Sequence, residues 1–211
     1  MDQAAPEGGT TTPTPRDPKR VAPGSIVIAR HGRPKGDRSV RLDWRGYELW
    51  WAQYDRNGLD PGQTPPTALV DAARGADVIF ASTLPRAFET AKAVAGDREI
   101  VSDPIFVEAP LPPPPMWGKR TPRQWGVWAR ASWWLGRAAG QETRPQAELR
   151  AQAAAATLAA RALRGENVVL FAHGWFNRMM RPVLLRNGWK CVEDGKDDYW
   201  SFRRYEFRRA T

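Results

Sequence analysis

The sequence predicts an α/β fold, a three-layer sandwich with a mixed, mainly parallel sheet flanked by helices. Three observations carry this. The runs 26–29, 78–81 and 168–172 are apolar throughout, with no alternating polar positions, which marks strands buried on both faces. Segments of helical periodicity lie between and after them. Strands that alternate with helices pair in parallel, because the chain crosses back over the sheet before each new strand.

Taken in order, residues 1–24 are rich in Pro, Thr and Gly and carry almost no large apolar side chain. They bury too little to offset the entropy of ordering, so a disordered tail is expected, with one folded domain over 25–211. The first run, Ile26 to Ala29, stops at Arg30-His31-Gly32, and the second, Val78 to Ala81, stops at Ser82. Over 84–95, Leu84, Phe88, Ala91 and Ala95 fall on one helical face, with Pro85 suited to the first turn and Gly96 to the stop.

Region 109–137 opens with a proline run, a stiff extended linker. Thr121-Pro122-Arg123-Gln124 has the form of a capping box with proline in the first turn, predicting a helix to about Leu135. Trp125, Trp128 and Leu135 share a face of it, widened by Val127, Ala131 and Trp134, with Trp133 pointing elsewhere. A second long helix is expected over 145–164, its apolar stripe formed by Leu149, Ala153, Ala156, Ala160 and Leu163 before Gly165. The third strand, Val168 to Ala172, stops at His173-Gly174. A helix kinked by Pro182 and stopped near Gly188 follows. Trp200, Phe202, Tyr205 and Phe207 suggest a last strand, with a bulge or turn at Arg203-Arg204 and those arginines on a solvated face.

Composition narrows the function classes. The chain has 211 residues and one cysteine, so an intramolecular disulfide and a Cys-based zinc site are excluded. The apolar runs are too short to span a membrane, and no basic segment precedes an apolar stretch after Met1, so the expectation is a cytoplasmic protein with no membrane partner. The net charge of +9 points to an anionic partner: nucleic acid, acidic lipid or a phosphorylated small molecule. Nucleic acid ranks last, because the arginines scatter and no nucleic-acid motif occurs. Nothing in the sequence addresses oligomeric state.

Each strand ends in polar residues, and in an open parallel sheet ligands bind beyond the carboxyl ends of the strands. Arg30, His31, Arg86 and His173 therefore meet at one edge although they are remote along the chain. Two guanidinium forks and two imidazoles suit a compact dianion such as a phosphoryl group. A neutral imidazole can attack phosphorus, and a second can donate a proton to a phosphoryl oxygen.

The set Arg30-His31-Gly32, Ser82-x3-Arg86-Ala87-x2-Thr90-Ala91 and His173-Gly174 resembles the histidine phosphatase superfamily, also called phosphoglycerate mutase-like, from about Ser25 to about Arg186. The resemblance implies a phosphatase that hydrolyses a phosphate monoester through a phosphohistidine on His31, with no metal or other cofactor. It implies that Arg30, Arg86 and the Gly174 amide hold the phosphoryl oxygens, that His173 completes the pocket, and that Glu108, in "PIFVEAPL", is the acid. Two departures are visible. Pro34 and Asp37 stand where many relatives carry Ser or Thr and then Asn. Glu108 is followed by Ala109-Pro110-Leu111 rather than the Glu-Arg-x-Tyr-Gly type segment of the mutases, which favours a phosphatase.

In the family an insertion at 109–137 covers the active-site edge, so this region is expected to form a helical cap. Trp125, Trp128 and Arg123 are its candidate substrate contacts, with Lys119, Arg120 and Arg130 on the rim. Packing of the tryptophans onto the core, and a partner surface, are the competing readings. A capped member implies a small or medium phosphorylated organic molecule as substrate. The alternative function is a non-catalytic phosphate-binding or regulatory protein on the same fold.

Overall fold

A computed structural model describes residues 22–208. Six strands form one sheet: β1 (Ile26–Arg30), β2 (Val78–Ser82), β3 (Val101–Asp103), β4 (Val168–Ala172), β5 (Trp189–Asp194) and β6 (Phe202–Phe207). Their order across the sheet is β3-β2-β4-β1-β6-β5. The first four run parallel, while β6 lies antiparallel to β1 and β5 antiparallel to β6. The mixed, mainly parallel sheet expected from the apolar runs is therefore present, with a two-stranded antiparallel edge.

Six helices accompany it: α1 (Trp44–Arg56), α2 (Thr67–Arg74), α3 (Pro85–Ala95), α4 (Pro122–Trp134), α5 (Arg144–Ala162) and α6 (Gly174–Arg186). Because side chains alternate across a strand, each central strand feeds two cores. Ile26, Ile28, Phe80, Val168 and Leu170 pack with Leu158 of α5 and Phe176 and Met180 of α6. Val27, Ala29, Ile79, Val169 and Phe171 pack on the other face with Leu69 of α2 and Ala91 and Val94 of α3. Three layers result.

The start of the fold lies slightly earlier than Ser25: Gly24 donates its amide to the Ala162 carbonyl at the end of α5 (2.8 Å). The expected tail otherwise falls in residues 1–21, outside the described residues.

Three expected faces are corrected. On α5 the buried residues are Ala147, Ala151, Ala154, Ala155, Leu158 and Ala162, whereas Leu149 and Leu163 are exposed. Alanines surround this helix, so its period carries no contrast, and the alanine face lets the helix sit close to the sheet. On α4 the buried residues are Pro122, Trp125, Ala129 and Trp133, and Val127, Trp128, Trp134 and Leu135 are exposed. Trp133, expected to point away, is fully buried and donates its indole N–H to the Glu142 carbonyl (2.9 Å). On α3 the buried set includes Arg86 and Thr90 as well as Ala87, Ala91 and Val94.

The C-terminal edge also differs. The bulge lies in β5, between Cys191 and Glu193, and not at Arg203-Arg204. Arg203 is nearly buried and bridges Asp194 and Asp197 (2.8 and 2.7 Å), and Arg204 pairs with Glu193 (3.4 Å), so these arginines tie the hairpin together.

The cap has two parts, one of which, α1, lies outside the expected 109–137 insertion. Asp43 caps α1 by accepting from the Gly46 amide (2.8 Å). Leu42 and Arg120 exchange backbone hydrogen bonds (2.9 and 2.8 Å), and the Trp125 indole donates to the Leu42 carbonyl (2.6 Å). Tyr47, Trp125 and Ala129 form a small separate core, with Trp50, Trp51, Leu111 and Met116 against it. Thr121 and Gln124 form the expected reciprocal capping box of α4.

Candidate active site

The strand order explains why remote residues converge. β4 lies between β1 and β2, with Arg30 opposite Ala172 and Ala81 opposite Phe171. The carboxyl ends of all three strands therefore share one level, and His31, Ser82 and His173 leave the sheet side by side.

His31 is buried, and its Nδ1 donates to the Gly32 carbonyl (2.7 Å), which leaves Nε2 as the ring nitrogen with a free lone pair. The Gly32 amide donates to Thr90 Oγ1 (2.9 Å), whose hydroxyl donates to the Arg86 carbonyl (2.6 Å). The paired Arg and Thr of α3 thus serve different ends: one guanidinium for the site and one hydroxyl for the histidine loop. Only glycine fits at position 32, because a Cβ there would stand 2.3 Å from the Trp200 indole. Trp200 itself adopts φ +64°, a left-handed conformation rare for a bulky residue, and donates its indole N–H to Gln63 (2.9 Å).

His173 follows β4 and is fully buried. Its Nε2 is 2.8 Å from Ser82 Oγ, which also accepts from the Leu84 amide (3.3 Å). The His173 Nδ1 is buried and has no protein partner. The rings of His31 and His173 have centroids 5.1 Å apart at 60°. Burial, and after it the positive charge of Arg86, push both imidazoles well below the ordinary histidine range.

Arg86 is 1% exposed. Asp55 pairs with its Nη2 (3.0 Å), and the Tyr54 carbonyl accepts from its Nη1 (3.3 Å). Burial pushes the Asp55 carboxyl up against the pull of that guanidinium. Arg30 donates to the Asp197 carbonyl and lies over the Tyr199 ring, 4.3 Å from its centroid. The Nε atoms of both arginines are buried and have no protein partner. Gly174 permits the approach of Arg30, since a Cβ there would be 3.2 Å from that Nε.

Glu108 accepts from the amides of Trp175 (3.1 Å), Phe176 (2.9 Å) and Ala109 (2.9 Å). Its carboxyl group therefore sits on the first turn of α6, beside the phosphate pocket. The cavity over the site, about 900 Å³, is lined by Arg30, His31, Arg86, Glu108 and Gly174 at its floor and by cap residues above. Of the candidate cap contacts, Arg123 lines it, whereas Trp125 belongs to the cap's own core and Trp128 does not line it. The aromatic wall comes instead from Trp51, Trp134 and Trp175.

Sequence reasoning missed Arg38, Tyr54, Asp55 and Tyr199. Tyr199 stands 5.6 Å from the His31 ring, its hydroxyl buried and without a partner. Arg38 donates to the Tyr54 hydroxyl. Asp37 turns to Ser39, accepting from its amide and hydroxyl (2.7 and 2.6 Å), and does not line the cavity. Asp43, a helix start ahead of Trp44, and the helical spacing of Tyr47, Trp51 and Tyr54 were the available signals for α1 and so for Tyr54 and Asp55. Among the described residues no group of three or more His, Cys, Asp or Glu could hold a metal ion, and no helix is long and apolar enough to cross a membrane.

Residues 62–210 match the family model of the histidine phosphatase superfamily, branch 1. That stretch includes Ser82, Arg86, Glu108 and His173 and begins after Arg30-His31-Gly32. No curated protein matches the chain. Among solved structures, the fold is similar to that of mycobacterial glucosyl-3-phosphoglycerate phosphatase complexed with VO3, at 22% identity and a TM-score of 0.56, over 88% of this chain and 96% of that one. It is also similar to phosphoserine phosphatase from Entamoeba histolytica in complex with 3-phosphoglyceric acid, at 16% identity and a TM-score of 0.52, over 77% of this chain and 80% of that one.

Proposed function

The chain belongs to the histidine phosphatase superfamily, and from that premise we propose that it is a phosphatase hydrolysing a phosphate monoester through a phosphohistidine at His31. One observation carries the reading: two buried imidazoles 5.1 Å apart, flanked by two arginines whose buried Nε donors lack protein partners. Donors left unpaired in a protein interior are costly, and a phosphoryl dianion satisfies them together.

In the first step Nε2 of His31 attacks phosphorus. The N–P bond forms, the bond from phosphorus to the ester oxygen breaks, and the leaving alkoxide takes a proton from Glu108 in its acid form. Arg30, Arg86, His173 and the Gly174 amide stabilise the charge on the equatorial oxygens. In the second step water attacks phosphorus and gives its proton to the Glu108 carboxylate. The N–P bond breaks, orthophosphate leaves and His31 regains its lone pair. The three amides on Glu108 fix its orientation through both steps. The mechanism calls on no metal. The two structural neighbours are named for glucosyl-3-phosphoglycerate and phosphoserine, which agrees with a phosphorylated small molecule as partner.

Acid-labile phosphate trapped on the wild type, absent from His31→Ala, together with loss of p-nitrophenyl phosphate turnover by more than about 10³-fold, is the expected result. A second reading, a non-catalytic phosphate-binding protein, is favoured by Asp37, which turns away from the cavity where relatives carry asparagine. Vanadate binding without turnover or label, in a folded wild type, selects it.

A further inference from the structure

The phosphatase reading leaves open which alcohol carries the phosphate, and the cavity above the phosphate pocket bears on it. Trp51 of α1, Leu111 of the proline run, Val127, Ala131 and Trp134 of α4, and Trp175 of α6 supply its walls. Four separate segments thus present only hydrocarbon and indole surface. Among the described residues no Ser, Thr, Asn or Gln lines the cavity. Several of the polar groups that line the upper part are already engaged, while Arg123 and the Trp175 indole N–H keep free donors. Arg130 donates to the Ala109 and Pro110 carbonyls (3.3 and 3.2 Å), Arg178 pairs with Asp197 (2.8 Å), and the Tyr54 hydroxyl accepts from Arg38. A polyol entering here would surrender hydrogen bonds to water and find few replacements, a cost of about 1–3 kcal/mol for each buried hydroxyl left unpaired.

The aromatic wall is braced by its neighbours. Trp134 carries the Arg144 guanidinium 3.7 Å from its ring centroid and meets Trp175 edge to face at 6.0 Å. Trp175 in turn lies under Arg130, at 4.6 Å. Val127 and Leu135 are 66% and 87% exposed while still lining the cavity, so its lip is apolar and open to solvent. At about 900 Å³ the cavity far exceeds what a phosphoryl group alone occupies.

We propose that the substrate is the phosphate monoester of a hydrocarbon alcohol, its phosphate on His31 and its alkyl or aryl body laid along α4 and Trp175. The inference rests on the phosphatase reading for the reaction but not for the ligand, so two measurements separate them. For turnover, a series from ethyl to octyl phosphate keeps the leaving-group chemistry constant. Its kcat/KM should rise by up to about fourfold per added methylene until the wall is covered, with glycerol 3-phosphate and glucose 6-phosphate below ethyl phosphate. For binding, calorimetry of the matching alkylphosphonates needs no turnover and should show the same climb. Val127→Asp, at an exposed lip position that tolerates a charge, should flatten both series in a protein whose circular dichroism is unchanged. A climb in phosphonate affinity with no turnover of any ester rejects the phosphatase reading and upholds the ligand class. A flat series in both measurements, a preference for the polyol phosphates, or an undiminished slope in folded Val127→Asp overturns the ligand class.

Discussion

His31 and His173 meet at the end of neighbouring parallel strands, ring to ring at 5.1 Å, both buried and both depressed in basicity. The site is held neutral where its nucleophile must be unprotonated, and it is surrounded by fixed positive charge from Arg30 and Arg86. Such a pair costs stability in acid and gains it from an anion.

The sign follows from linkage. An unfolded histidine titrates near about 6.5, and both folded imidazoles lie well below that. As pH falls through about 6.5 the unfolded chain binds protons that the folded chain refuses, so stability drops from there toward the folded values. Above about pH 7.5 these two groups contribute no pH dependence. Each gives a slope of up to about 1.4 kcal/mol per pH unit within the window. Urea midpoints at about pH 8 and about pH 5.5 should therefore differ, and saturating orthophosphate, which restores the imidazoles' affinity for protons, should shrink the difference. Equal midpoints would contradict neutral burial.

The two site glycines should fail differently. Gly32→Ala sets a methyl 2.3 Å from the Trp200 indole and should lower stability by about 1–3 kcal/mol, seen in thermal melts. Gly174→Ala crowds Arg30 Nε at 3.2 Å, a contact relieved by a small shift of the guanidinium. Its melting temperature should stay near wild type while vanadate affinity falls about tenfold.

Tyr199 offers a ring and a hydroxyl to separate roles. The ring supports the Arg30 guanidinium at 4.3 Å, so Tyr199→Ala should weaken vanadate binding by about threefold to thirtyfold. Tyr199→Phe keeps the platform and should retain affinity. A loss of equal size in both variants would assign the effect to the hydroxyl.

The faces of α4 give a stability test. Trp133→Ala removes a fully buried indole and its hydrogen bond to Glu142, and should cost about 3–5 kcal/mol. Trp128→Ala, 46% exposed, should cost less than about 1 kcal/mol. Chemical denaturation measures both, and a reversed order would restore the face expected from helical spacing.

Local chemistry was enough for much of this protein. Unbroken apolar runs marked β1, β2 and β4, because a strand buried on both faces cannot afford polar positions. Pro85 with Gly96, and Thr121 with Gln124, marked helix ends through capping that is settled within one turn. Arg30, His31, Arg86 and His173 stood out because each lies at a strand end or opens the helix after one at the expected edge, while Glu108 was reached through the family resemblance. Tertiary structure decided the rest. Trp133 rather than Trp128 is buried because α4 packs on its neighbours through a face that a tryptophan-rich helix does not announce. Tyr54, Asp55 and Tyr199 enter the site only because α1 and the loop between β5 and β6 fold over the strand ends. A side chain's partners across the chain depend on how faces pack, and residue spacing along a helix or loop does not carry that information.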